Sequence, residues 1–138
     1  KAVIAAFRDA GFHDVIIAAR HRDNGLALAK QYGFQWQPRP EGIAADILVN
    51  VTPLGMAGGA ESETLAFSQP MVEQASVVFD VVALPPETPL IKLAQRLDKH
   101  VISGAEVIAL QAVEQFALYT GIRPDDTLVA EAAAFARG

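Results

Sequence analysis

The chain has 138 residues, enough for one ordinary domain with a real core. Hydrophobic residues make up 51% and charged residues 20%, which excludes the disordered class, and a formal net charge of −5 excludes the clustered-cation footprint of a general nucleic-acid binder. The absence of cysteine excludes a disulfide framework, a thiolate metal site and a cysteine nucleophile. No apolar run approaches the ~20 residues needed to span a bilayer, so the expectation is a cytoplasmic protein with neither a membrane nor a nucleic-acid partner.

Ala2, Val3, Ala6 and Phe7 share one helical face, and Gly11 supplies a left-handed stop, so a helix is predicted over residues 1–10. Residues 15–19 form a short apolar run of β-branched character, the pattern of a parallel strand covered on both faces. Asp23 or Asn24 is the expected cap of a second helix that carries Leu26, Leu28, Ala29 and Tyr32 and closes at Gly33. Phe34 to Gln37 reads as extended, and Pro38 and Pro40 break it. Residues 46–50 are a second buried-type strand, followed by a Gly-rich stretch that reads as loop. Residues 76–82 form a third strand, and Thr88 with Pro89 starts a helix through Leu97. Val101 and Ile102 make a fourth, short strand. A long helix is predicted from Gly104 to Tyr119, ended by Gly121, and Asp125 or Asp126 caps a last alanine-rich helix to Arg137.

Strands alternating with helices imply right-handed crossovers and an α/β fold with a doubly wound parallel sheet, Rossmann-like in kind. Ligands of such sheets bind off the carboxyl ends of the strands, so the informative residues follow Ala19, Asn50, Val82 and Ile102.

After the first strand stand Arg20, His21 and Arg22, where a fold that reads NAD usually has an acidic residue. Two guanidiniums there suit a 2′-phosphate and hence NADP, because the planar fork donates paired hydrogen bonds. A solvated basic turn balancing Asp23 is the plainer alternative. The second strand runs into Asn50, Thr52, Pro53, Leu54, Gly55 and Met56, which bring an amide, a hydroxyl and a rigid turn to the ligand edge. The same amide and hydroxyl commonly do no more than satisfy loop backbone groups. Gly104 and Gln111 lie two turns apart on nearly one helix face, roughly 10 Å along the axis, with Val107 and Ile108 as an apolar wall between them. A helix apolar nearly all round is expected to be buried, here between two domains, though a core helix with a backbone-satisfied Gln111 is the commoner case. His13, His21 and His100 lack metal-ligand spacing, no serine has the setting of a hydrolase nucleophile, and Asp80 is expected to bind local backbone N–H groups rather than to catalyse.

Three segments together, Asn50 to Met56, Asp80 to Leu90, and Ser103 to Gln111 running on to Phe116 and Gly121, resemble the shikimate dehydrogenase family over nearly the whole chain. The resemblance implies reversible hydride transfer between NADPH and the keto group of 3-dehydroshikimate. It makes residues 1–103 an NADP-binding Rossmann-like domain and residues 104–138 an interdomain helix and a C-terminal helix. Arg20, with Arg22 in support, would contact the 2′-phosphate; Thr52, Pro53 and Leu54 the adenosine side; Val81 and Gly104 the nicotinamide; Asn50 and Val107 would also belong to the cofactor site; and Gln111 would touch the substrate. The family's catalytic Lys and Asp belong to a separate amino-terminal domain, so no catalytic residue is named in this chain. Lys1 falls where the family has just completed its glycine turn, and the sheet is therefore expected to be incomplete at its N-terminus, lacking a central strand, so that the isolated chain folds poorly. Expected partners are shikimate or a related ring acid, the amino-terminal domain of the same polypeptide and, in a homodimer, a second copy.

The sequence departs from the family pattern at Ala19 and His21, which replace an Asn and a Thr, at Ala83, which replaces a Tyr, and at Ser103, which replaces an Asp. These departures are most similar to the divergent shikimate dehydrogenase-like subgroup. Two rivals remain: an NAD-dependent quinate/shikimate dehydrogenase, and a non-catalytic nucleotide-binding regulatory module, which Ala83 favours. The related domain of glutamyl-tRNA reductase accounts for the strand pattern but not for the Gly104 to Gln111 helix.

Overall fold

Helices and parallel strands alternate through residues 1–137, the part that the computed structural model describes. They divide into two compact units, one of residues 1–43 and one beginning at Ala44.

The first unit holds α1 (Ala2–Asp9), β1 (Ile16–Ala18), α2 (Arg22–Tyr32) and β2 (Gln35–Gln37). β1 and β2 pair in parallel, with Ile17 opposite Trp36. β1 is shorter than its apolar run suggests, and Ala18 is exposed, so only Ile17 has the burial expected of the whole strand. α2 closes on Gly33 at φ 74°, a left-handed conformation that costs a glycine nothing. Its start differs from expectation: His21 is the N-cap and its side chain accepts no capping hydrogen bond, while Asp23 lies inside the first turn, where its charge favours the positive end of the helix dipole. The guanidinium of Arg8 on α1 sits 5.1 Å from the Tyr32 ring centroid on α2, and Phe7 meets Phe12 edge to face at 4.9 Å.

The second unit holds β3 (Ile47–Asn50), α3 (Gln69–Gln74), β4 (Val77–Asp80), α4 (Pro89–Arg96), β5 (His100–Ser103), α5 (Gly104–Thr120) and α6 (Asp126–Arg137). The sheet order is β3-β4-β5, all parallel, and the register sets Leu48 beside Val78 and Val78 beside Val101. Leu48 and Val78 pack in a core with Val72, Leu90, Ile91 and Ala94. α4 turns its apolar residues Leu90, Ile91, Leu93 and Ala94 inward; it starts as expected at Pro89, and the Thr88 hydroxyl accepts the Ile91 N–H at 3.2 Å. β4 ends two residues early and β5 begins and ends one residue beyond its apolar pair, because strand limits follow the neighbour's hydrogen bonds rather than hydropathy. α3 is an addition: six residues started by Ser68 and Pro70 between the Gly-rich loop and β4, too short for a periodic apolar face to announce it.

α5 carries a full capping box, in which Ser103 Oγ accepts the Glu106 N–H at 3.3 Å and the Glu106 carboxylate accepts the Ser103 N–H at 2.6 Å. The burial expected of α5 is burial between two domains; within this chain Gly104 is its only buried residue, while Leu110 and Phe116 are exposed. Asp125 caps α6, its Oδ1 accepting the Leu128 N–H at 2.8 Å.

Candidate functional site

The parallel register places Asn50, Asp80 and Ser103 in one row at the carboxyl ends of β3, β4 and β5. Asn50 and Asp80 are buried polar side chains, and every bond they make shapes the loops beyond the strands. Asn50 Nδ2 donates to Asp80 Oδ1 at 3.0 Å and to the Leu54 carbonyl at 3.3 Å; Asn50 Oδ1 accepts the Thr52 N–H at 3.0 Å and the Thr52 hydroxyl at 2.6 Å. Asp80 Oδ1 also accepts the Val82 N–H at 3.1 Å, and its Oδ2 accepts the Thr88 hydroxyl at 2.7 Å. Thr88, fully buried, thus joins the cap of α4 to the end of β4. Among the described residues no buried side-chain nitrogen or oxygen lacks a partner. An unmade bond in such a place costs about 1–3 kcal/mol, so the loop geometry is held firmly.

Two close approaches complete this edge. A Cβ built on Gly104 would lie 2.5 Å from the Val82 carbonyl carbon and oxygen and 2.6 Å from the Val81 oxygen, so only glycine lets α5 start against the 81–82 backbone. Gly55 takes φ 84° against Thr88, and the Ala57 N–H donates to the Leu84 carbonyl at 2.9 Å, tying the loop after β3 to the loop after β4.

Of the residues expected to form a site, the second unit therefore brings Asn50, Thr52 and Leu54 into one hydrogen-bonded turn, and Val81 and Gly104 into backbone contact. Pro53 is exposed at the tip of that turn, its carbonyl accepting the Met56 N–H at 3.1 Å. Val107 is half-buried and Gln111 exposed further along α5. Leu54 and Val81 are half-buried, leaving apolar surface beside the exposed Thr52 hydroxyl. A shallow cleft of about 290 Å³ lined by Gly55, Ser62, Glu63, Glu87 and Lys92 contains none of these expected residues. No group of His, Cys, Asp and Glu among the described residues could hold a metal.

In the first unit Arg20 and Arg22 are exposed, and neither forms an ion pair among the described residues. The peptide that leads into them is held on both sides: the Ala19 N–H donates to the Gln37 carbonyl at 3.1 Å, and the Ala19 carbonyl accepts from Trp36 Nε1 at 3.1 Å. Trp36, Gly25 and Thr88 are the contributors that reading along the chain does not single out. Thr88 announced itself only as a cap, and Trp36 only as part of an extended stretch; a lone Trp beside a buried-type strand was the available signal. Asp80 behaves as its strand-end position suggests, with its carboxyl committed to local structure.

No protein-family model matches the chain. Among curated proteins it is 56% identical over 137 residues to a shikimate dehydrogenase-like protein of Haemophilus influenzae, covering 99% of this chain and 51% of that protein. It is 36% identical over 141 residues to the NADP(+) shikimate dehydrogenase of Archaeoglobus fulgidus, covering 96% of this chain and 51% of the relative. Among solved structures, a shikimate 5-dehydrogenase-like protein superposes with a TM-score of 0.96 at 55% identity, over 99% of this chain and 51% of that one. The shikimate 5-dehydrogenase of Thermus thermophilus, solved with NADP(H) and shikimate, matches with a TM-score of 0.81 at 29% identity, over 98% of this chain and 50% of its own. The chain thus spans about half the length of the curated relatives it matches. These likenesses make the fold Rossmann-like α/β, and by sequence and by fold the chain belongs to the shikimate dehydrogenase family, as a homologue of the C-terminal half of its members.

Proposed function

We propose that this chain is the cofactor-binding part of an oxidoreductase of the shikimate dehydrogenase type, which reduces 3-dehydroshikimate reversibly to shikimate with NADP(H). The observation that carries the reading is the built edge at the ends of β3, β4 and β5, where buried Asn50, Asp80 and Thr88 fix the two loops that a dinucleotide would lie along. That edge offers a hydroxyl and main-chain groups around Thr52 for a ribose and the half-buried apolar surface of Leu54, Val81 and Val107 for rings, and the first unit separately carries the exposed guanidiniums of Arg20 and Arg22, whose chemistry suits a 2′-phosphate. Bound NADP(H) supplies or takes up the hydride. Arg20 and Arg22 bind the phosphate, Asn50, Thr52, Pro53 and Leu54 orient the adenosine side, and Val81, Gly104 and Val107 form the wall for the nicotinamide. Gln111 reaches the ring acid.

In this reading residues 1–103 bind the cofactor, and the helices of residues 104–138 face the amino-terminal domain of the same polypeptide, which brings the catalytic groups. The exposed Ile108, Leu110, Phe116 and Leu118 of α5 are the apolar surface that such a domain, or a second copy in a homodimer, would cover. No helix among the described residues is long and apolar enough to cross a membrane.

A quinate dehydrogenase of Corynebacterium glutamicum solved with NAD also matches, with a TM-score of 0.81 at 29% identity, and keeps an NAD-linked alternative in play. The deciding experiment is steady-state oxidation of NADPH and of NADH by the full-length protein with 3-dehydroshikimate. Turnover that prefers NADPH, and loses that preference in Arg20→Ala, is expected. Oxidation of quinate with NAD+ in preference to NADP+ would install the alternative, and cofactor binding without turnover of either acid would install the regulatory module.

A further inference from the structure

The Arg20 turn is not an isolated surface feature, because an aromatic side chain from the neighbouring strand fastens it. We propose that Trp36 is the positioning residue of the phosphate grip: its indole fixes the peptide from which Arg20 departs, and so sets the preference for a 2′-phosphorylated dinucleotide. The inference rests on the reading of Arg20 as a 2′-phosphate ligand and adds a residue to it.

Three observations carry it. First, the indole N–H donates to the Ala19 carbonyl at 3.1 Å, and that carbonyl belongs to the peptide unit whose nitrogen is Arg20's own. With the Ala19 N–H held by Gln37 at 3.1 Å, rotation about both sides of Ala19 is restrained by β2, and the direction in which Arg20 leaves the strand is set. Second, the indole reaches this place only because position 25 lacks a side chain: a Cβ there would stand 2.2 Å from Trp36 Nε1 and 2.4 Å from Cδ1. Gly25 is buried in the first turns of α2, its N–H bonded to the His21 carbonyl at 2.9 Å, so the same ring edge braces the start of the helix that carries Arg22. Third, the Ala19 Cβ lies 3.2 Å from that built Cβ, so the site admits only small residues at 19 and 25. Ala19, Gly25 and Trp36 are one matched set, and both arginines grow out of it.

A guanidinium fork binds phosphate well only when it is already aimed, since otherwise binding must restrain the backbone as well as the side chain. Losing the indole N–H should therefore weaken 2′-phosphate recognition selectively. In the full-length protein, dissociation constants of NADPH and NADH are measured from the fluorescence of the reduced nicotinamide. For Trp36→Phe, which keeps a ring but no donor, NADPH affinity is expected to fall about 3- to 10-fold and NADH affinity by less than about 2-fold, the scale of one neutral hydrogen bond. Gly25→Ala, which displaces the indole without removing it, should reproduce the selective loss, and the double variant should fall short of the sum because both changes act through one contact. Equal losses for both cofactors, or none, would reduce Trp36 to packing and overturn the inference. If Arg20→Ala abolishes the preference for NADPH while Trp36→Phe and Gly25→Ala leave it intact, the phosphate reading stands and the Trp36 inference falls; a wild-type protein indifferent to the 2′-phosphate removes both.

Discussion

Asn50 and Asp80, thirty positions apart in the chain, meet side chain to side chain at 3.0 Å and lock together the ends of two adjacent parallel strands. Each then spends its remaining hydrogen bonds on the loop that follows its own strand, Asn50 on Thr52 and Leu54, Asp80 on Val82 and, through Thr88, on the start of α4.

Thr88 is the most economical place to test that lock. Thr88→Val keeps the shape but removes both the donor to Asp80 and the acceptor for the Ile91 N–H. Losing the cap and leaving a buried carboxyl oxygen short of a partner should cost about 2–4 kcal/mol together. Thr88→Ser should recover most of it. Urea denaturation of the full-length protein reads both, and a Thr88→Val loss below the Thr88→Ser loss would show that the network does not stabilise the edge.

Gly104→Ala sets two effects against each other. Helix propensity favours alanine by up to about 1 kcal/mol. The added Cβ, however, meets the Val81 and Val82 backbone at 2.5–2.6 Å, and backbone cannot swing aside as a side-chain tip can. Overpacking of this kind costs about 1–3 kcal/mol, so the variant should be less stable and bind NADPH more weakly. A raised melting temperature would show that the contact is loose.

Arg20→Ala should weaken NADPH binding about 10- to 100-fold, the worth of charge-assisted hydrogen bonds, and leave NADH almost unchanged. Arg22→Ala should do less, since Arg22 already lies in the first turn of α2 while Arg20 lies in the bend just after β1. Titration of both cofactors against each variant is the measurement.

Glu114 on α5 accepts a hydrogen bond from Arg123 just beyond the helix. That bond first, and the guanidinium charge second, hold the Glu114 carboxyl below its usual range, and the same partner pushes Arg123 up. A depressed carboxyl contributes stability above its unfolded value and loses it as the pH falls through the folded one. Both side chains are exposed, so the effect belongs to a carboxyl carbon NMR titration: the Glu114 midpoint should rise in Arg123→Ala. An unmoved midpoint would show that the pair does not persist in solution.

Much of the fold was legible along the chain, because the features that announce it act over short distances. Apolar β-branched runs located β1, β3 and β4, glycines with left-handed φ ended α2 and α5, and Thr88 with Pro89 opened α4, each through local sterics or a bond spanning three or four residues. The start of α2 departs from its sequence pattern by two residues, with His21 rather than Asp23 as its cap. The order of residues determined that this is a parallel α/β protein of the shikimate dehydrogenase family. Only the tertiary structure decided that Asn50 faces Asp80, that Gly104 abuts Val82 and that Trp36 fastens Ala19 across the space left by Gly25. Those pairings depend on which strands become neighbours and in what register, and register is a property of the assembled sheet.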